Sequence, residues 1–181
     1  MIGLLRRRVN DLMTSRLRLV AITPGMLKAD EAADGSLSKI LGAEVTVDWP
    51  PEHWEPHVYH FIEKQYVDEP RTRGWHRYVL LPKRRSPVLR YTLIGAVGAF
   101  PKLEGDAEIG YSTVRSYQRQ GYATEAARAL VDWLLRQKDV KSVSAQTYPS
   151  LPESIKVMER CGMTYVGPGE DEGTVRYQRR R

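Results

Sequence analysis

The sequence predicts one α/β domain, a mixed, mostly antiparallel, twisted sheet of about six to seven strands flanked by helices. Three observations lead there. From Ala107 to Val114 the chain alternates, with Ala107, Ile109, Tyr111 and Thr113 on one face and Glu108, Gly110, Ser112 and Val114 on the other, as a strand does. From Ala123 onward the period lengthens: Ala123, Ala126, Ala127, Leu130, Val131, Leu134 and Leu135 form one apolar stripe on an amphipathic helix. Other strand-length segments lie between Pro- and Gly-containing turns, and 181 residues suit one domain with a core better than two.

Residues 1–14 have no sustained period and read as an N-terminal arm, leaving 15–181 as the single domain. Arg16 to Ile22 alternates and predicts the first strand. Thr23-Pro24 starts a helix that runs to about Ala32, because proline suits the first helical position, and Ser36 to Leu41 predicts another. Trp49-Pro50-Pro51-Glu52 opens a helix through about Val67, with Trp54, Val58, Phe61 and Ile62 inward. Trp75 to Leu81 and Arg90 to Phe100 predict paired strands around a basic turn, Pro82 to Pro87. Leu93 to Gly98 is apolar on both faces and so reads as a central strand. A turn from Pro101 to Asp106 precedes the strand that carries Glu108. Ser142 to Thr147 alternates again, and Glu153 to Cys161 predicts a helix with Ile155, Val157 and Met158 inward. Gly162 suits the left-handed residue that ends it. Thr164 to Val166 and Thr174 to Gln178 make the last pair of strands.

The formal charge is +6, from 28 basic and 22 acidic residues. Arginines gather at Arg6-Arg7-Arg8, Lys83-Arg84-Arg85 and Arg179-Arg180-Arg181, which read as solvated ends and a loop; a nucleic-acid partner would need interleaved aromatics as well. Cys161 is the only cysteine, which excludes a disulfide framework and a cysteine metal site and fits a reducing, cytoplasmic setting. No signal-peptide pattern opens the chain, and no apolar run is long enough to span a membrane. His53, His57 and His60 fall about a helical turn apart, but no third-ligand pattern joins them and no metal is expected.

The link between the predicted strand and the amphipathic helix carries the chemistry. Gly121 has no Cβ, so a bulky group can approach the backbone there. The helix start that follows has amides without intrahelical partners and the positive end of the macrodipole, a place suited to phosphate. Gln118, Arg119 and Gln120 add side-chain donors and Thr124 adds a hydroxyl, so the segment reads as a diphosphate cradle. It has neither the Lys-Ser/Thr of a Walker loop nor a Gly-x-Gly-x-x-Gly. A strand–turn–helix with an ordinary glycine is the plainer reading.

Gln118-Arg119-Gln120-Gly121-Tyr122-Ala123 resembles the acetyl-CoA motif of the GNAT acetyltransferase superfamily, Gln/Arg-x-x-Gly-x-Gly/Ala between a strand and a helix. Glu108-Ile109-Gly110-Tyr111 and Ala123-Thr124-Glu125-Ala126 resemble a narrower branch, the enzymes like the ribosomal-protein N-terminal acetyltransferases. The resemblance runs from Ser15-Arg16-Leu17-Arg18-Leu19 through Trp49-Pro50-Pro51, Gly74-Trp75 and Leu93-Ile94-Gly95 to Ser154 and Gly162-Met163. It implies an N-acetyltransferase that takes acetyl-CoA as co-substrate and a protein N-terminus or small-molecule amine as acceptor; the sequence leaves the oligomeric state open, a homodimer included. Residues 118–124, Tyr122 and Ala123 included, would bind CoA. The strand before the loop would splay from its neighbour and hold the pantetheine on the backbone of Ser112, Thr113 and Val114, with an N–H near Val114 polarising the thioester carbonyl. Trp49, Trp54 and Tyr59 would border the acceptor cleft, or else pack in the core.

Glu108 is the one carboxylate on the expected strand and shares a face with Ser112, so it is placed to take the amine proton; a solvated charge is the plainer reading. The tyrosine acid of many superfamily members falls at Met158. In the narrower branch a serine within Asn-x-x-Ser replaces it; Ser154 is present, while Leu151 stands at the asparagine position. Ser154 would meet the leaving sulfur, or merely begin a helix. The missing tyrosine and asparagine keep a non-catalytic acetyl-CoA or nucleotide sensor as the rival reading.

Overall fold

The computed structural model describes residues 9–52, 54–83 and 90–181. Its elements in order are β1 Leu12–Met13, β2 Arg18–Ala21, α1 Pro24–Ala32, α2 Ser36–Leu41, β3 Ala43–Val45, α3 Pro56–Asp68, β4 Arg77–Pro82, β5 Tyr91–Pro101, β6 Asp106–Thr113, α4 Tyr122–Leu134, β7 Ser142–Thr147, α5 Pro152–Arg160, β8 Thr164–Pro168 and β9 Val175–Arg180. The strands join in the order β1-β2-β4-β5-β6-β7-β9-β8, with β3 beside the start of β5. Pairing is antiparallel except for β3 with β5 and β6 with β7. The sheet therefore has nine strands among the described residues, not six to seven: β1 and β3 are too short for a period to reveal them.

Helix ends follow local chemistry. Thr23 caps α1 by accepting the Met26 amide at 3.3 Å, with Pro24 in the first turn. The third helix begins at Pro56 rather than just after Pro51, again with proline in the first turn, and residues 46–52 and 54–55 lie outside helix and strand. They are held by the aromatic cluster of Trp49, Trp54, Tyr59 and Tyr78. At its centre Asp30 accepts from Trp49 Nε1 at 2.7 Å and Tyr78 Oη at 2.6 Å. Burial raises the Asp30 pKa, and these hydrogen bonds oppose the rise. The aromatics expected at an acceptor cleft are thus packing partners that tie these residues to α1 and β4.

The two faces of the sheet are covered unequally. One carries α4 and α5: Ala126, Ala127, Leu130, Val131, Leu134 and Met158 pack on Ile94, Val97, Ile109, Val143 and Ala145. The other carries α1, α2 and α3, whose Leu27, Leu37, Leu41, Tyr59 and Ile62 pack on Val20, Tyr78, Leu80, Leu93 and Ala96. These contacts are with β2, β4 and β5. Beyond them, the same face of β6, β7 and β9 is polar, built of Asp106, Glu108, Ser142, Ser144, Gln146, Arg176 and Gln178. An open groove of about 1190 Å³ crosses it.

The sequence-predicted basic clusters resolve in part. Arg179 donates to Asp132 and to the Cys161 carbonyl, and Arg181 to the Leu135 carbonyl, so two of the three terminal arginines fasten β9 to the helices. Arg6-Arg7-Arg8, Arg84-Arg85 and His53 lie outside the described residues. His57 and His60 are exposed, and among the described residues no group of three or more His, Cys, Asp or Glu is placed to hold a metal. Among the same residues, no helix is long and apolar enough to cross a membrane.

Candidate active site

Strands β6 and β7 pair in parallel over Asp106↔Ser142, Ala107↔Val143 and Glu108↔Ser144, and then part. Beyond Glu108, β6 keeps its ladder with β5 as far as Thr113↔Gly95, so one edge of β6 faces a gap. Which peptide groups face it follows from ladder parity. Val114 N donates to the Ile94 carbonyl at 2.9 Å and Lys102 N to the Asp106 carbonyl at 2.8 Å. In an antiparallel ladder such pairs recur every second residue, so Asp106, Glu108, Gly110, Ser112 and Val114 turn their peptides to β5, while Tyr111 and Thr113 turn theirs to the gap.

This revises the backbone set expected from the sequence. The Val114 N–H is engaged by β5 and its side chain is buried, so it does not polarise a thioester. Ser112 faces β5 through its peptide, and its hydroxyl donates to the Glu52 carbonyl at 3.2 Å. The amide turned into the gap is that of Tyr111, one residue before the expected trio; Thr113 keeps its gap-facing peptide. Gly95 permits this arrangement, because a Cβ there would stand 2.4 Å from the Ser112 carbonyl oxygen.

The gap leads to the loop before α4. Gly121 is the N-cap of α4 at φ 80°, a left-handed conformation that favours glycine, and no side chain caps the helix. The first amides of α4, at Tyr122, Ala123 and Thr124, precede the first helical hydrogen bond, Glu125 N to the Gly121 carbonyl, and stand ready for an anion. Arg16, which sequence reasoning missed, lies across this loop. It pairs with Glu125 at 2.6 Å, donates to the Gln120 carbonyl at 3.0 Å and stacks 4.5 Å from the Tyr122 ring. A Cβ on Gly121 would be 3.4 Å from Arg16 Nη2, so glycine leaves room between that guanidinium and the helix start. Glu125 also accepts from Thr14, Ser15 and the Arg16 amide. Burial raises its pKa, but the hydrogen bonds from Thr14 and Arg16 bring the net shift below the ordinary range.

Gln118 departs from its expected role: its Nε2 donates back to the Thr113 carbonyl at 3.0 Å, so it braces the loop instead of offering a side-chain donor to phosphate. Arg119 and Gln120 are exposed, and Arg119 itself is left-handed at φ 61°. An uncapped helix start, a glycine that leaves open space and a neighbouring guanidinium fit the diphosphate of a CoA ester.

On the polar face, β6 carries two carboxylates, not one, because the strand begins at Asp106. Their surroundings differ. Asp106 accepts from Ser142 and Ser144 at 2.5 Å each, from Arg176 at 2.8 Å and from Gln178 at 3.3 Å. Glu108 is 13 % exposed and accepts one long bond from Gln146 at 3.4 Å; Lys102 Nζ is 3.7 Å from Oε2, and Oε2 has no hydrogen-bond partner among the described residues. Desolvation raises the Glu108 pKa, Lys102 opposes this and Glu170 reinforces it. The Lys102 ammonium is shared with Glu170 at 2.5 Å, on the β8–β9 loop that Gln146 also holds. Neither Lys102, Gln146 nor Glu170 was marked in the sequence, and each comes from a different element.

On the opposite face, Ser154 in the first turn of α5 is half-buried, with Leu151 as an uncapped helix start. Met158 is fully buried in the core and takes no part in the gap. Tyr111 reaches Ser154 from β6: its Oη lies 2.9 Å from Ser154 Oγ and 3.0 Å from the Ser154 carbonyl oxygen. Burial pushes the Tyr111 phenol up to about 12.

A gap between parted parallel strands, leading to an anion-ready helix start and flanked by a carboxylate on one face and hydroxyls on the other, defines an acyltransferase that uses a CoA ester. The acetyltransferase (GNAT) domain model matches residues 16–164, and the chain belongs to that family. It is an acetyltransferase with acetyl-CoA as co-substrate. The chain is 31% identical over 153 residues to the uncharacterized N-acetyltransferase YjdG of Bacillus subtilis (strain 168), covering 83% of this chain and 88% of that one. Similar solved structures include a GNAT-family acetyltransferase from Bacillus anthracis, at TM-score 0.60 and 19% identity over 94% of this chain and 98% of that one. Another is RimL, a ribosomal L7/L12 alpha-N-protein acetyltransferase in complex with coenzyme A, at TM-score 0.61 and 18% identity over 94% and 98%.

Proposed function

We propose that the enzyme transfers acetyl from acetyl-CoA to a primary amine, carried by a protein N-terminus or a small molecule, with Glu108 as the base and Ser154 at the leaving sulfur. The observation that carries this is where β6 and β7 part: their last pair is Glu108↔Ser144, so the gap begins at the half-satisfied carboxylate. The CoA diphosphate rests on the amides of Tyr122, Ala123 and Thr124 beside Arg16, with Arg119, Gln120 and Gly121 around it, and the pantetheine pairs with the gap-facing peptide of Tyr111 and the N–H of Thr113, whose carbonyl Gln118 already holds. The Tyr111 N–H meets the thioester oxygen, where negative charge develops.

The amine enters from the polar face that no helix among the described residues covers. Its lone pair forms the C–N bond, its proton passes to Glu108 directly or through one water, and the C–S electron pair leaves on sulfur. A base of raised pKa is better matched to an ammonium-derived proton, and an α-amine near pKa 8 asks less of it than a lysine near 10.4. The lone thiol, Cys161, is buried and burial pushes its pKa up to about 11, which makes it a poor nucleophile.

The test is an acceptor screen at fixed acetyl-CoA, with peptides bearing free N-termini, polyamines, aminoglycosides and small amines, read by product mass. N-acetylated product from at least one class is expected. CoA release without any acetylated amine would refute the reading.

A further inference from the structure

The superfamily's helix-borne tyrosine is replaced here by a buried methionine, yet a phenol stands at the same helix. Tyr111, 43 residues away on β6, delivers its hydroxyl to Ser154 across the gap. Three oxygens meet there, the Tyr111 phenol, the Ser154 hydroxyl and the Ser154 carbonyl, at 2.9 and 3.0 Å from the phenol.

We propose that Tyr111 is a positioning residue for Ser154, and that the two hydroxyls act as one switchable donor to the leaving sulfur. The inference rests on the reading of Ser154 given above. The cluster has two hydrogen-bond arrangements on the same heavy atoms. In one, Ser154 donates to the phenol and the phenol donates to the Ser154 carbonyl, so both protons are used internally. In the other, the phenol donates to Ser154 Oγ and the Ser154 proton points into the gap. Only hydroxyl rotation separates them. As the C–S bond breaks and its electron pair collects on sulfur, the second arrangement gains a charge-assisted bond, so the donor is offered chiefly in the transition state.

Magnitudes decide how far the proton moves. A thiol titrates near 8.5, whereas desolvation pushes the half-buried Tyr111 phenol up to about 12. Full transfer from Tyr111 through Ser154 would run uphill by several pK units. The pair therefore donates a hydrogen bond, the product leaves as thiolate, and water protonates it afterwards. The phenol is the more acidic hydroxyl of the two, which makes it the natural donor to Ser154 and polarises the Ser154 O–H in turn.

The experiment measures kcat and CoA affinity for Tyr111→Phe, Ser154→Ala and the double variant, under single-turnover conditions so that chemistry limits the rate. Each single variant is expected to lose about tenfold in rate, the scale of one hydrogen bond, with CoA affinity within about threefold of the parent. The double variant is expected to be no slower than the slower single one, since the two act as a unit. A slow Ser154→Ala beside a Tyr111→Phe that matches the parent would overturn the inference and leave Ser154 in its role. A Ser154→Ala that matches the parent would overturn the Ser154 reading as well, and additive losses would overturn the coupling alone. Because Tyr111→Phe leaves a buried acceptor without its donor, 3-fluorotyrosine at position 111 is the second variant. Its more acidic phenol keeps the packing and is expected to hold or raise the rate; a loss equal to that of Tyr111→Phe would count against the proposal.

Discussion

The two faces of strand β6 meet different worlds although their residues alternate along eight positions. Ala107, Ile109 and Tyr111 point to the face covered by α4 and α5, where packing is apolar and the Tyr111–Ser154 hydroxyl pair is half-buried. Asp106, Glu108 and Ser112 point to the face that the other helices leave bare beyond β5, where charges are shared among Lys102, Glu170 and Arg176. The difference teaches how a thin sheet can keep two kinds of group apart. A step of one residue turns a side chain to the opposite face, so in the proposed reaction the proton taken from the amine and the charge left on sulfur are handled on opposite sides of one strand. A gap in the sheet would let one substrate touch both.

The largest effect is expected on the bare face. Glu108→Gln keeps shape and removes basicity, and should lower the single-turnover rate roughly 10²- to 10⁴-fold with CoA affinity little changed. Because desolvation raises the Glu108 pKa, the acidic limb of the parent's kcat/KM profile should lie above the ordinary glutamate range, and it should vanish in the variant. A profile for Glu108→Gln that overlays the parent would erase the contrast between the faces.

The next effect belongs to the end of the gap. Gly121→Asp puts a side chain into left-handed backbone and a negative charge at the positive end of α4, and should weaken CoA binding on the order of a hundredfold by calorimetry. Unchanged affinity in a folded variant would move the phosphate elsewhere. A smaller loss is expected for Glu125→Ala, which frees Arg16, Thr14 and Ser15 from the loop. The pair is partly exposed and screened, so CoA affinity should fall about three- to tenfold.

The finest adjustment is Lys102→Met. Lys102 lowers the Glu108 pKa against the dominant effect of burial, so its removal lets that pKa rise. A base must be ionised to act, and the acidic limb should therefore move to higher pH, with the rate at alkaline pH nearly unchanged. A shift to lower pH would show that Lys102 is not coupled to Glu108.

Local order was legible in the sequence. The alternation around Glu108, the stripe from Ala123 to Leu135, the helix start at Thr23-Pro24 and the glycine before α4 each depend on neighbours within a turn or two, and all appear close to where the sequence puts them. The limits of this reading are equally local. Two- and three-residue strands carry no period, and the start of α3 was drawn to Pro50-Pro51 because Pro56 offers the same signal a few residues later.

Tertiary structure decided everything that depends on a partner far along the chain. Alternation states which side chains share a face, but the direction of each peptide is set by the ladder with β5, and that parity moved the gap-facing amide from Val114 to Tyr111. The charge state of Glu108 depends on Lys102 from the turn before it and Glu170 from the last hairpin, and the partner of Ser154 comes from another strand. Gln118 and Arg16 were misjudged or missed because a donor's role depends on which acceptor lies within 3 Å: the Thr113 carbonyl for one, Gln120 and Glu125 for the other. A residue's type and period are properties of the chain, whereas a hydrogen bond requires two groups to meet in space, and only the folded sheet brings these together.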